Sequence, residues 1–153
     1  MLTLSMTACI EKGDPVLSRF SKVENVPVEE AIVDFSKKAY SLRGKTIDDF
    51  DIEKYANVSE PDDSFESYET YLTVFGHPNT RILLMLKNNE FSSLSIFLSG
   101  SFTSEETEPI RTILDSKLKP DGMVYRIQDD MVLLFLDGYS HCSFHYTIVP
   151  PKE

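Results

Sequence analysis

The residues best suited to chemistry stand near the end of the chain, in His141-Cys142-Ser143-Phe144-His145. In a strand, period two puts His141, Ser143 and His145 on one face and Cys142, Phe144, Tyr146 and Ile148 on the other. The two imidazoles then lie roughly 7 Å apart, near enough to share a zinc ion if further ligands converge. The only other histidine is His77. The second face is apolar and reads as core, so Cys142 is expected to behave as a small buried hydrophobe. Strand neighbours point to opposite faces, so Cys142 and His141 cannot form a nucleophile–base pair. His141 and His145 are therefore read as two histidines on a polar strand face and only weak metal candidates; a metal-dependent enzyme built on them is the less favoured alternative to a binding protein.

A second pattern lies between Asp49 and Glu60. Asp49, Asp51, Glu53, Asn57 and Glu60 fall at positions 1, 3, 5, 9 and 12 of an EF-hand-like loop. Lys54 occupies position 6, where a calcium loop needs glycine, and brings a positive charge beside the ion. A solvated acidic segment is the better expectation.

The charge itself is unevenly placed. The chain of 153 residues carries a net −10. From Asp48 to Glu69 nine acids face one base, Lys54, whereas 16 acids face 14 bases in the remainder. Interleaved with these acids are Phe50, Tyr55, Phe65 and Tyr68. Carboxylates steer the encounter with a basic partner and aromatic rings supply contact area. The segment is thus a candidate protein-binding surface built from Asp48, Asp49, Asp51, Glu53, Tyr55, Asp62, Asp63, Phe65, Glu66 and Tyr68; the competing expectation is an acidic loop whose aromatics fold into the core. An acidic chain repels a phosphate backbone, which argues against nucleic acid. No G-x-S-x-G, glycine-rich phosphate loop or C-x-x-C pair occurs, and neither an enzyme, a cofactor nor a small-molecule substrate is expected.

The elements that must hold these residues follow from periodicity. Val28, Ala31, Ile32, Phe35, Ala39 and Leu42 recur at helical spacing behind Pro27, with Glu29 and Glu30 early, Lys37 and Lys38 late, and Gly44 after the end. YETYLTVF, RILLMLK and FSSLSIFL alternate like strands and are separated by turn signals in GHPNT and NNE. A helix follows with Ile110, Ile113, Leu114 and Leu118 on one side. Thr103 and Glu106 form a capping-box pattern, but Pro109 moves the expected start toward Thr107. MVYRIQ, MVLLFL and HCSFHYTIV complete a second group of strands. The order α–βββ–α–βββ implies one α+β domain over residues 27–150, an antiparallel sheet of about six strands with two helices on one face. Residues 10–26 read as a polar tether. The chain holds no run of about 18 apolar residues, the length a membrane-spanning helix needs.

The opening MLTLSMTACIEKGDP carries no charge before Cys9 except at the chain's own amino group. Met6-Thr7-Ala8-Cys9 resembles the lipobox of bacterial lipoproteins: an apolar residue, two small residues, then the cysteine that is lipidated. Leu2 and Leu4 stand as the end of an apolar stretch, and residues 1–9 as the remnant of a signal peptide that begins upstream of Met1. The resemblance implies lipidation at Cys9 and an anchor facing the periplasm, with Ile10 after the cysteine favouring the outer membrane. If residues 1–9 are instead a plain apolar terminus, the protein is expected in the cytoplasm. In size, acidity and lack of a catalytic set the domain resembles immunity proteins against secreted antibacterial toxins, which implies a non-catalytic binder of a basic-surfaced toxin. It also resembles small acidic type III secretion chaperones in charge and in its α–βββ–α opening.

Overall fold

A computed structural model describes residues 13–20, 27–62, 64–100, 102–138 and 142–150. Among the described residues three α-helices accompany eight strands: α1 (Leu17–Phe20), α2 (Val28–Lys38), β1 (Ala56–Asn57), β2 (Phe65–Val74), β3 (His77–Lys87), β4 (Glu90–Leu98), α3 (Ser104–Lys117), β5 (Lys119–Asp121), β6 (Val124–Gln128), β7 (Met131–Asp137) and β8 (Cys142–Ile148). All pair antiparallel in one sheet of order β1-β2-β3-β4-β8-β7-β6-β5. The architecture is the expected mixture of helices with one antiparallel sheet, but where about six strands and two helices are expected the described residues hold eight and three. The additions are short. β1 and β5 have two and three residues, too few for period two to declare itself.

The chain traces two similar units, each a helix followed by a four-stranded meander. They join where β4 pairs with β8, Leu94 opposite Tyr146 and Ile96 opposite Phe144. α2 and α3 both lie on the face that carries Phe144 and Tyr146. The Phe35 ring meets Tyr146 at 5.4 Å, and the Arg111 guanidinium lies 4.9 Å over the Phe135 ring. Ile82, Leu84, Leu86, Leu94, Ile96, Leu133 and Phe144 are all buried beneath the helices. Within that core the Ser36 hydroxyl donates to the Ile32 carbonyl at 2.7 Å and meets the Tyr146 phenol at 2.7 Å.

Local chemistry explains the boundaries that sequence pattern misplaces. α3 begins at Ser104, ahead of the expected Thr107. Thr103 and Glu106 complete their capping box, the Glu106 carboxylate accepting the Thr103 N–H at 2.9 Å. Pro109 lies in the second turn, where it withholds the N–H due to the Glu105 carbonyl; both residues are exposed, so water can satisfy that acceptor. The β2–β3 turn falls on Phe75-Gly76, both at positive φ, so His77 and Pro78 belong to β3 and not to the turn.

Part of the segment read as a tether is built into the domain. Asp14 opens the turn that leads into α1, its carbonyl accepting the Ser18 N–H and its Oδ1 accepting the Val16 and Leu17 N–H groups at 2.7 and 2.9 Å. Val16 is buried and the Phe20 ring packs on Phe35 and Phe75.

Candidate partner-binding surface

The acidic segment is fixed to the sheet at several points. The Ile47 N–H donates to the Asn89 carbonyl at 2.8 Å and the Phe91 N–H to the Lys45 carbonyl at 2.7 Å, which ties residues 45–47 to the start of β4. A 3₁₀ turn over Ile47–Asp49 is closed by Asp49, whose Oδ2 accepts the Thr46 N–H at 2.8 Å. A second turn, Ile52–Lys54, follows, and β1 then pairs with β2. The centre of the segment is held by Asp14. Its carboxylate is 2% exposed, and Oδ2 accepts both the Asp51 N–H and the Tyr55 hydroxyl at 3.0 Å.

This arrangement separates the two kinds of residue that the sequence interleaves. Asp48, Asp49, Glu53, Glu60 and Asp62 are exposed and Asp51 is half-buried. Phe50, Tyr55 and Tyr68 are buried in the core, so Tyr55 and Tyr68 cannot serve as exposed anchors. Burial and then the Asp14 carboxylate push the Tyr55 phenol far above its usual range. Tyr68 donates to Glu66 Oε2 at 2.9 Å, and its phenol is raised first by burial and then by that carboxylate. Phe65 stays half-buried with the Lys87 ammonium over its ring, and Glu66 is half-buried beside it. Asp63 lies outside the described residues. The aromatic that does stand in solvent is Tyr71, 56% exposed on β2, two residues past the end of the acidic window. The extended alternation of β2 was its one signal in sequence.

Among the described residues, Asp51 pairs with Lys54 at 3.3 Å and Glu69 with Arg81 at 2.8 Å, whereas Asp48, Glu53, Glu60 and Asp62 meet no cation. The EF-hand-like set is not drawn together. Asp49 is turned to Thr46, Asp51 to Lys54, and Asn57 Oδ1 accepts the Ser59 N–H at 2.9 Å.

The histidine strand keeps its alternation. Phe144 and Tyr146 enter the core while Ser143 and His145 occupy the opposite face. His145 Nδ1 meets the Ser95 hydroxyl at 2.8 Å and Nε2 meets the Ser143 hydroxyl at 2.9 Å, while its ring stands edge-on to Phe97. His141 and Cys9 lie outside the described residues. No group of three metal-binding side chains occurs among the described residues. Cys142 is a free, buried thiol pushed up to about 12, first by burial and then by Asp137. Among the described residues no helix is long and apolar enough to cross a membrane. Compared with protein-family models, curated proteins and solved structures, the chain matches none.

Proposed function

We propose that this chain is a non-catalytic binding protein that docks a basic-surfaced protein on the acidic ridge of residues 48–62, with Phe65 and Glu66 at its margin. One observation carries the reading. Asp48, Glu53, Glu60 and Asp62 project from a segment pinned by the buried Asp14 carboxylate, without a cation among the described residues to neutralise them. Like charges gathered on a fixed scaffold repel one another, a cost that a basic partner removes on docking. A ridge that is already ordered spares the partner the entropy of ordering it.

The biological role we assign is that of an immunity-type lipoprotein, anchored through Cys9 at the periplasmic side of the envelope and neutralising a secreted toxin. It rests on the lipobox-like Met6-Thr7-Ala8-Cys9 and on the acidic ridge. Capture from the native envelope, followed by charge reversal at Asp48, Glu53, Glu60 and Asp62, tests it. A basic-surfaced partner whose association slows in the variant and weakens with salt is the expected result. Association indifferent to both would remove the ridge as the interface, and a palmitate label absent from Cys9 would remove the anchor.

A further inference from the structure

The pin that orders the acidic ridge also leaves one stretch of sheet edge open. β2 runs from Phe65 to Val74, but β1 faces it only at Tyr68 and Glu69. On the Phe65 side of β1 the edge is closed. The Ser67 carbonyl accepts the Val58 N–H at 2.8 Å, and the Ser67 N–H goes to Ser59 Oγ at 2.9 Å. Outward-pointing backbone groups recur at every second residue, so after Ser67 and Glu69 the next belong to Tyr71. The residue in line to meet them is Lys54, two before Ala56. Its N–H is turned instead to the Asp51 carbonyl at 2.9 Å, and that of Tyr55 to the Ile52 carbonyl at 3.0 Å. Asp14 holds this turn through the Asp51 N–H and the Tyr55 hydroxyl. The Tyr71 N–H and C=O therefore point outward without a partner among the described residues.

The opposite edge of the sheet is built differently. There β5 faces three of the five residues of β6, and it carries Lys119 and Pro120, which discourage further pairing. The stretch Thr70–Val74 holds neither lysine nor proline, and Thr70, Tyr71, Thr73 and Val74 are β-branched or aromatic. A bulge between Leu72 and Val74 interrupts the register with β3, so the regular open edge centres on Tyr71. What completes such an edge is extended backbone, which supplies the missing N–H and C=O.

We infer that the partner proposed for the acidic ridge adds an extended segment to β2 at Tyr71, in line with β1, while its cations meet the ridge. This rests on the ridge as the docking site. Two observations select that occupant. Glu53, a ridge acid with no cation among the described residues, sits in the very turn that opens the gap, so a lysine or arginine flanking the added strand can meet it. The Tyr71 ring is 56% exposed at the same position and offers the segment a side-chain contact. Backbone pairing reads no side chains, so selection of the partner stays with charge.

Amide hydrogen exchange of the full chain, read by NMR, tests this with a synthetic peptide of alternating lysine and valine as the probe. The Tyr71 N–H should exchange at least ~10-fold more slowly with the peptide than without it. A fully N-methylated peptide of the same sequence, which has no backbone donors, should leave Tyr71 unprotected. Tyr71→Pro removes the donor on the protein side and should weaken the plain peptide by ~10-fold. If that variant fails to fold, the methylated peptide still decides. Charge reversal at Asp48, Glu53, Glu60 and Asp62 separates the strand from the ridge. Peptide binding that weakens in that variant while Tyr71 is never protected would keep the ridge and overturn the strand. Protection of Tyr71 with unchanged affinity in that variant would support the strand and remove the ridge from the site. No slowing at any peptide concentration, or slowing that rises with protein concentration alone, would overturn the inference.

Discussion

The Tyr55 hydroxyl donates to Asp14 Oδ2 across 3.0 Å, joining residues 41 positions apart in sequence, and both groups are buried. The same carboxylate takes three backbone N–H groups, those of Val16, Leu17 and Asp51. It satisfies the N-terminal donors of α1 and the entry to the second 3₁₀ turn at once. No cation pairs with it among the described residues, so hydrogen bonding alone offsets its desolvation.

Removing that carboxylate strands several buried donors, whereas removing the phenol strands none. Asp14→Ala should therefore cost about 2–4 kcal/mol, and Tyr55→Phe about 1 kcal/mol. Urea unfolding monitored by circular dichroism measures both. Equal losses in the two variants would mean that Asp14 acts only through Tyr55.

The same asymmetry governs Ser36 and Tyr146. With the serine proton given to the Ile32 carbonyl, the Tyr146 phenol donates to Ser36 Oγ inside the core. Ser36→Ala leaves a buried phenol unpaired and should cost about 1–3 kcal/mol, while Tyr146→Phe leaves Ser36 bonded to Ile32 and should cost less. Thermal unfolding of the two variants gives the order; the reverse order would place the donor on Ser36.

Four buried phenols, Tyr55, Tyr68, Tyr125 and Tyr146, set the behaviour in alkali. Burial raises Tyr146, burial and Asp14 raise Tyr55, burial and Glu66 raise Tyr68, and Tyr125 is pushed up to about 12 by burial and by its 2.6 Å hydrogen bond to Asp115. Each is an acid kept neutral by the fold, so the unfolded chain loses the proton first, near pH 10. Their stabilisation is complete below pH 10 and is lost as pH climbs toward 12, by about 1.4 kcal/mol per pH unit for each phenol that stays protonated. Urea midpoints should be insensitive to these groups at neutral pH and fall above pH 10, less steeply in Tyr146→Phe. Phenolate absorbance rising fully while circular dichroism remains native would contradict this.

Cys142 allows a separate check of the core. A thiol raised to about 12 holds almost no thiolate at neutral pH, and the residue is 0% exposed. In Cys9→Ser protein, alkylation at neutral pH should wait for unfolding and proceed at the unfolding rate or the opening equilibrium. Immediate labelling of native protein would show β8 to be accessible from the helix side.

The parts of the fold legible in sequence are those where one local signal is long enough to repeat. The stripe from Val28 to Leu42 matches α2 as far as Lys38 and then a 3₁₀ turn over Ala39–Leu42, the alternation in FSSLSIFL matches β4, and period two in HCSFHYTIV sorts His145 from Phe144 correctly. Asp14-Pro15 carries a turn signal ahead of a helix, yet four helical residues are too few to show a period, and the segment read as tether. The acidic ridge was legible as charge alone. Whether Tyr55 and Tyr68 face outward depends on a contact with Asp14 and on the register with β3, and no spacing within residues 48–69 encodes either.

Phe75 is where local preference and tertiary packing disagree most. It holds φ at +50°, followed by Gly76 at +81°, in a two-residue hairpin loop that favours Asn-Gly. A bulky residue there costs about 1–2 kcal/mol of backbone strain. The ring offsets this by packing edge-on against Phe20 at 5.6 Å and Phe144 at 5.8 Å, with Phe35 at 6.3 Å. Phe75→Ala loses the ring and keeps the strain, whereas Phe75→Asn loses the ring but relieves the strain. Stability should fall in the order wild type, Phe75→Asn, Phe75→Ala, with about 1 kcal/mol between the two variants. An asparagine variant as stable as wild type in urea would mean that the Phe75 ring contributes nothing net to this cluster, and that α1 is held by Asp14, Val16 and the Phe20–Phe35 contact.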